Sequence, residues 1–211
     1  WLKTDRGARG HATPPVLSRP SEALQASPMR RAGAPPALPI EEQAEAGQID
    51  VEELVERLRT AADATAVLDV RTDSEFASGH IQGATHMTSE ALLDEATGEA
   101  WAREYLSSLE KAGKEMLVVH CMYSQARGPS VATKLAHLAV EGPAPNLKIS
   151  LLTGGFHKYF NSLWTEDGAG TDGLIAGVDK GKWRRTDTHG WVEEDAVQAI
   201  EMLDQPVEEA A

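Results

Sequence analysis

Val118-Val119-His120-Cys121-Met122-Tyr123-Ser124-Gln125-Ala126-Arg127-Gly128-Pro129-Ser130 is the stretch that decides how this chain is read. An apolar run from Met116 to Val119 ends at His120, and the only cysteine of the chain follows. Five residues separate Cys121 from Arg127. Gly128-Pro129 then opens a stretch of helical spacing in which Val131, Leu135, Leu138 and Ala139 fall on one face. Strand, loop and helix in that order suit an anion cradle, because curled loop N–H groups and a helix N-terminus both present positive partial charge.

The chemistry of the stretch follows from its residue types. An unperturbed thiol titrates at about pH 8.5 and is a poor nucleophile at neutral pH unless its surroundings favour the thiolate. Here the N–H groups of Met122, Tyr123, Ser124, Gln125, Ala126, Arg127 and Gly128 are the candidate oxyanion-binding loop. Arg127 adds a planar fork that grips two oxygens of a tetrahedral anion at once. No acidic residue interrupts the loop. Cys121 is the candidate nucleophile, Arg127 the clamp, and His120 a support behind the loop. The competing reading is a buried, inert cysteine that merely precedes a helix. The placement between strand and helix and the spacing to arginine favour function.

Outward from the loop, strands alternate with helices, which implies an α/β domain with a central, mainly parallel sheet covered on both faces. Asp50 and Glu53 form a capping-box-like start to a helix over about 51–60, with Val51, Leu54, Val55 and Leu58 on one face. Ala66–Val70 reads as a short buried strand, and residues 71–76 as a loop entering a helical turn. Gly79 and Gly83 flank a short extended segment. Acidic helices are expected over about 88–96 and 99–112, the second with Trp101, Tyr105 and Leu109 facing inward. Met116–His120 and Lys148–Leu152 are strands. Gly142-Pro143 stops the helix between them, Thr153-Gly154-Gly155 is a tight turn, and Phe156–Leu163 is a further helix.

Both ends read differently from the middle. Residues 1–39 hold seven of the eleven prolines and few large apolar residues, too little to offset the ordering entropy of a fold. Residues 1–46 are therefore expected to be a disordered arm or a targeting remnant, and the opening Trp1 in place of Met points to a start further upstream. Residues 47–164 form the expected domain. The segment 165–211, with glycines at 168, 170, 173, 177 and 181, reads as an open loop. Val192, Ala196, Ile200 and Leu203 would line a closing helix. Lys180, Lys182, Arg184 and Arg185 beside Trp183 read as a solvated charge run.

A net charge of -13 argues against nucleic-acid or anionic-membrane partners. With one cysteine there is no internal disulfide, and no apolar run approaches the roughly 18 residues of a membrane span. A reducing, cytoplasmic or nuclear setting is expected, or an organelle if the arm is a targeting remnant. No metal is expected, since the histidines, His80 and His86 included, lack tight ligand spacing.

His120-Cys121, five residues, then Arg127-Gly128-Pro129 resembles the active-site loop of the M-phase inducer phosphatases and the eukaryotic arsenate reductases, both built on the rhodanese-like fold. The resemblance runs from about Ile49 to Leu163. Leu68-Asp69-Val70-Arg71, Glu75-Phe76 and Gly79-His80-Ile81 with Gly83-Ala84 look like the first block of rhodanese-like domains, and Gly154-Gly155-Phe156 like the final turn and helix start. The resemblance implies Cys121 as nucleophile, Arg127 as oxyanion clamp, and Asp69 and Arg71 as supporting residues. The five-residue spacing suits phosphate or arsenate, whereas sulfurtransferases of the fold usually have a loop one residue shorter.

Three departures narrow this. Ala126 stands where the M-phase inducer phosphatases have an acid, and Val70 where they have a second cysteine. The zinc-binding cysteines of the small plant-type members are absent. The implied activity is arsenate reduction or a small tyrosine or dual-specificity type of phosphatase acting on a small oxyanion or phosphorylated substrate. The alternatives are a sulfurtransferase carrying a persulfide on Cys121 and a non-catalytic binding module. No cofactor is expected to be bound. An arsenate reductase with one thiol needs glutathione, with glutaredoxin as a partner, from outside. Asp73 and Glu75 are weak candidates for a general acid. Nothing in the sequence fixes an oligomeric state.

Overall fold

In the computed structural model, which describes residues 45–165, 173–195 and 197, helices follow strands in the order expected of a parallel sheet. All described residues fall within one compact unit, Leu38–Ala211. The elements are β1 (Gly47–Ile49), α1 (Val51–Thr60), β2 (Thr65–Asp69), α2 (Asp73–Ala77), β3 (His80–Ile81), β4 (Thr85–His86), α3 (Ser89–Leu93) and α4 (Gly98–Lys111). Then come β5 (Met116–His120), α5 (Arg127–Glu141), β6 (Lys148–Leu152), α6 (Gly155–Leu163), β7 (Ile175–Ala176), β8 (Trp183–Thr186) and β9 (Gly190–Glu193).

The main sheet has the order β1-β6-β5-β2-β4, and every pairing in it is parallel. Side chains alternate along β5. Leu117 and Val119 join one core with α3, α4 and α5, while Met116 and Val118 join the other with α1 and α6. Both faces of β5 are buried, which is why it reads as a continuous apolar run. Leu106, Leu117, Leu135, Leu152, Phe156 and Phe160 are fully enclosed, each contributing roughly 1.5–3 kcal/mol of hydrophobic stabilisation. The Asp50 side chain caps α1 by accepting from the Glu53 N–H at 2.8 Å. Replacing it with Ala would cost about 1 kcal/mol.

Where it is described, from Gly173 on, the glycine-rich segment after α6 is not the open loop its composition suggests; Gly168 and Gly170 lie outside the described residues. β7 pairs antiparallel with β3, with Ile175 opposite Ile81. β8 and β9 form a hairpin in which Trp183 lies opposite Glu193. Trp183 is buried, stacked on Phe160 with centroids 4.0 Å apart. Val192 lies in β9 and not in a helix; Glu194, Asp195 and Val197 are helical, while Ala196, Ile200 and Leu203 lie outside the described residues. So does the arm over residues 1–46, apart from Glu45 and Ala46. Two of the basic residues around Trp183 pair locally, Lys182 with Asp195 at 3.9 Å and Arg184 with Glu194. Among the described residues, no helix is long and apolar enough to cross a membrane.

Candidate active site

Cys121 stands at the first position after β5, and Arg127 at the first position of α5. Between them the chain turns through Ser124, which takes a left-handed φ of 53°, a conformation uncommon outside glycine, asparagine and aspartate. The carbonyls that open the loop face away from it. Cys121 O accepts from the Phe156 N–H and Met122 O from the His157 N–H, both at 2.9 Å. Among the described residues, no backbone carbonyl takes an N–H from Met122 through Arg127. No side chain caps the start of α5 and no acid lies in its first turn, so the positive end of a 15-residue helix meets the loop. Cys121 itself is buried in the core formed with α5.

Gly155 makes the carbonyl arrangement feasible. At φ 61° it brings α6 so close that an added Cβ would lie 2.5 Å from both Cys121 O and Met122 O. The expected tight turn before α6 is therefore part of the site, because it ties down the cysteine loop from behind.

Arg127 does not wait unpaired. Its Nη1 donates to Glu75 Oε2 at 2.6 Å and its Nη2 to Glu75 Oε1 at 2.8 Å. Glu75 is fixed in turn by a capping box at the start of α2. The Thr72 N–H donates to Oε2 at 2.8 Å, and the Glu75 N–H donates to Thr72 Oγ1 at 3.3 Å. Burial pushes the Glu75 carboxyl up, but the hydrogen bonds from Arg127 and Thr72 outweigh it and hold the group below the usual range. Those same bonds to Glu75 raise the Arg127 guanidinium further. An ionised carboxylate serving as a clamp partner is poorly suited to be a proton donor. Asp73, the other carboxyl considered for that task, is 93% exposed at its side chain. It lines an open cleft of ≈ 540 Å³ together with Arg71, Thr72, Thr88, Ser89, Glu90 and Arg127.

Behind the loop, Asp69 and Arg71 form an ion pair with no solvent exposure, 2.6 Å at its shortest. Arg71 Nε donates to both carboxylate oxygens and Nη2 to Gly79 O, while the guanidinium lies 4.0 Å above the Phe156 ring. Burial opposes the Asp69 charge, yet the hydrogen bonds and the charge of Arg71 lower its pKa. His120 is wholly buried, with Nδ1 3.3 Å from Cys121 O and Nε2 3.7 Å from Asp69 Oδ2. Burial drives it toward the neutral form, against the pull of Asp69. His80 and His86 stack on opposite sides of Phe76, at 4.0 and 4.3 Å, and serve packing.

The structure thus brings Cys121, the loop to Gly128, Arg127, Asp69, Arg71 and His120 into one neighbourhood. Met122 is buried in the second core, so only its backbone is available to a ligand. Sequence reasoning missed the Glu75 partnership and the contribution of the segment after α6. Asn161 in α6 holds Trp191 at both ends of its backbone, donating to the carbonyl at 2.9 Å and accepting from the N–H at 2.7 Å. The available signal was the alternation in Trp183–Thr186 and Gly190–Glu193 around a turn closed by Gly190, whose φ is 67°.

Residues 50–162 match the rhodanese-like domain. The chain belongs to that family. Within it, the chain is 32% identical over 105 residues to the M-phase inducer phosphatase of Drosophila melanogaster, covering 46% of this chain and 22% of that protein. It is 29% identical over 111 residues to the CDC25-like phosphatase YCH1 of Saccharomyces cerevisiae, covering 52% of this chain and 74% of that protein. Arsenate reductase 2.2 of Oryza sativa subsp. japonica is 37% identical over 67 residues, covering 32% of this chain and 45% of the relative. Among solved structures, a yeast protein tyrosine phosphatase of the rhodanese family superposes with a TM-score of 0.52 at 26% identity, covering 66% of this chain and 97% of that one. The chain therefore spans less than half the length of the fly and rice proteins.

Proposed function

We propose that this protein is a cysteine-dependent enzyme acting on tetrahedral oxyanions, an arsenate reductase or a small phosphatase. The observation that carries the reading is the loop in which Cys121 and Met122 turn their carbonyls onto α6 while Arg127 opens α5. That arrangement leaves N–H donors for developing negative charge next to a nucleophile.

In phosphoryl transfer, the Cys121 thiolate attacks phosphorus and the P–O bond to the leaving group breaks. The leaving oxygen takes a proton, and water then hydrolyses the cysteinyl phosphate, restoring the thiolate. With arsenate, Cys121 displaces water from arsenic to form an S–As(V) adduct. An external thiol such as glutathione attacks Cys121 Sγ, and the S–As electron pair passes to arsenic, releasing arsenite as As(III). Cys121 is left in a mixed disulfide that a second thiol or glutaredoxin reduces. With no second cysteine in this sequence, the attacking thiol comes from outside it.

The test is one panel on the full chain: an aryl phosphate, arsenate with glutathione, and thiosulfate with cyanide. Turnover of either of the first two, abolished by Cys121→Ser, supports the proposal. Turnover of thiosulfate alone assigns a sulfurtransferase, and inactivity with all three assigns a binding module.

A further inference from the structure

Glu193 ends β9 and is buried, although among the described residues no lysine or arginine forms a salt bridge with it. Its Oε1 lies 2.7 Å from the Oγ of Ser78, the buried residue directly after α2. The same Oγ lies 2.8 Å from the backbone carbonyl of Glu75. A serine hydroxyl has one proton to give and two lone pairs to accept with, and a carbonyl only accepts. Both contacts are full hydrogen bonds only if Ser78 donates to the Glu75 carbonyl and Glu193 carries a proton that it donates to Ser78. An ionised Glu193 would compete for that single proton.

The charged groups facing Glu193 are mixed, with the carboxylates favouring the neutral acid and Arg71 opposing it. Glu75 and Arg71 approach from the domain, Tyr123 from the cysteine loop, and Asp195 from the same end of the hairpin. Arg71 is paired with Asp69 through Nε and Nη2, while its buried Nη1 has no hydrogen-bond partner among the described residues. Burial, more than any other cause, pushes the Glu193 carboxyl up; the Ser78 hydrogen bond and Arg71 pull against it, the charges on Glu75 and Asp195 add to it, and the net direction is upward.

Ser78 is gripped at two further points by the segment after α6. Its carbonyl accepts from the Trp183 Nε1–H at 2.9 Å and from the Asp179 N–H at 3.1 Å. Ser78 closes the helix that carries Glu75, and Glu75 holds Arg127. On its other side the hairpin holds α6 through Asn161 and through His157 Nε2, 3.1 Å from His189 O. The first turn of α6 fixes the carbonyls of Cys121 and Met122. Both supports of the cysteine loop therefore lead to a hairpin outside residues 50–162.

We infer that Glu193 is a positioning residue of the oxyanion site: as a neutral acid it latches the hairpin onto Ser78 and so sets the Glu75–Arg127 clamp, and its ionisation releases the clamp. The inference rests on the proposed oxyanion site. A carboxyl whose pKa is raised by folding stabilises the docked hairpin fully at low pH, and that contribution is lost as pH rises through the folded-state value.

The experiment uses the full chain and inorganic sulfate, a tetrahedral dianion whose charge is constant over the range studied. Protection of Cys121 from iodoacetamide by sulfate, and tryptophan fluorescence reporting the Trp183–Phe160 stack, are followed against pH for wild type, Glu193→Gln and Glu193→Ala. In wild type both signals fall together as pH rises. Glu193→Gln, a neutral side chain that still donates to Ser78, keeps both at alkaline pH. Glu193→Ala weakens protection about tenfold even at low pH. A Glu193→Gln profile identical to wild type, or unchanged protection in Glu193→Ala, overturns the inference. If sulfate protects no variant at any pH while the fluorescence transition still depends on Glu193, the oxyanion reading fails, and with it the positioning role, but not the latch.

Discussion

Arg127 and Glu75 share two parallel hydrogen bonds, 2.6 and 2.8 Å long, so the guanidinium proposed to grip an oxyanion is already held by a carboxylate of the same chain. An incoming anion must compete with Glu75 or share Arg127 with it. Two results follow, one for affinity and one for stability.

Glu75→Gln keeps the capping box, since glutamine serves at that helix position as glutamate does, and its amide oxygen still accepts from Arg127 and so keeps the guanidinium in place, but the competing charge is removed. Sulfate or phosphate affinity should rise roughly tenfold at neutral pH, as measured by protection of Cys121 from alkylation. Arg127→Lys, which loses the planar fork, should lower it. The Glu75 carboxyl is held below its ordinary range, so the pair's contribution to stability is present above the unfolded-state value and lost as pH falls through the folded one. Urea titrations across the acid range should show this loss, and Glu75→Gln should abolish it.

Gly155→Ala tests the support behind the loop. The new methyl would lie 2.5 Å from two carbonyl oxygens at a φ of 61°. A cost of about 2–4 kcal/mol is expected from thermal unfolding, together with loss of anion binding. Gly83→Ala is the comparison: its φ is also positive, but no atom lies within 4 Å of the added carbon. It should cost only the backbone strain, about 1 kcal/mol.

The strand, loop and helix around Cys121 were legible because their residues are neighbours in sequence and the chemistry depends on local order. The amphipathic helices α1, α4 and α5 were legible for the same reason: Val51, Leu54 and Val55, for example, mark a face within one turn. The Arg127–Glu75 pair joins positions 52 apart, and the Ser78–Glu193 contact positions 115 apart. No local period encodes either. Glycines suggested an open loop after Thr165, whereas in the part of it that is described β7 gains its hydrogen bonds from β3, a strand two residues long whose pairing comes from tertiary context.

Asp69→Asn leaves the Arg71 charge buried and uncompensated. A loss of about 3–5 kcal/mol is expected in urea unfolding. Replacing both partners by apolar residues of similar volume should cost less than the single change, and that comparison separates the ion pair's net contribution from the penalty of an orphaned charge.

Ser124 offers an opposing pair of effects. Its left-handed backbone favours glycine, and its buried hydroxyl has no hydrogen-bond partner among the described residues. Ser124→Gly should stabilise the fold by about 0.5–1 kcal/mol while weakening oxyanion protection of Cys121, because the hydroxyl is a donor available to a ligand. Thermal unfolding and alkylation measured on the same variant would show the two signs.

The most direct measurement is acid-quenched mass analysis of the full chain mixed with an aryl phosphate, and separately with arsenate. The account predicts a transient mass increase of one phosphoryl or arsenyl group on the peptide bearing Cys121, absent from Cys121→Ser together with turnover. Undiminished turnover of either oxyanion by Cys121→Ser would contradict it.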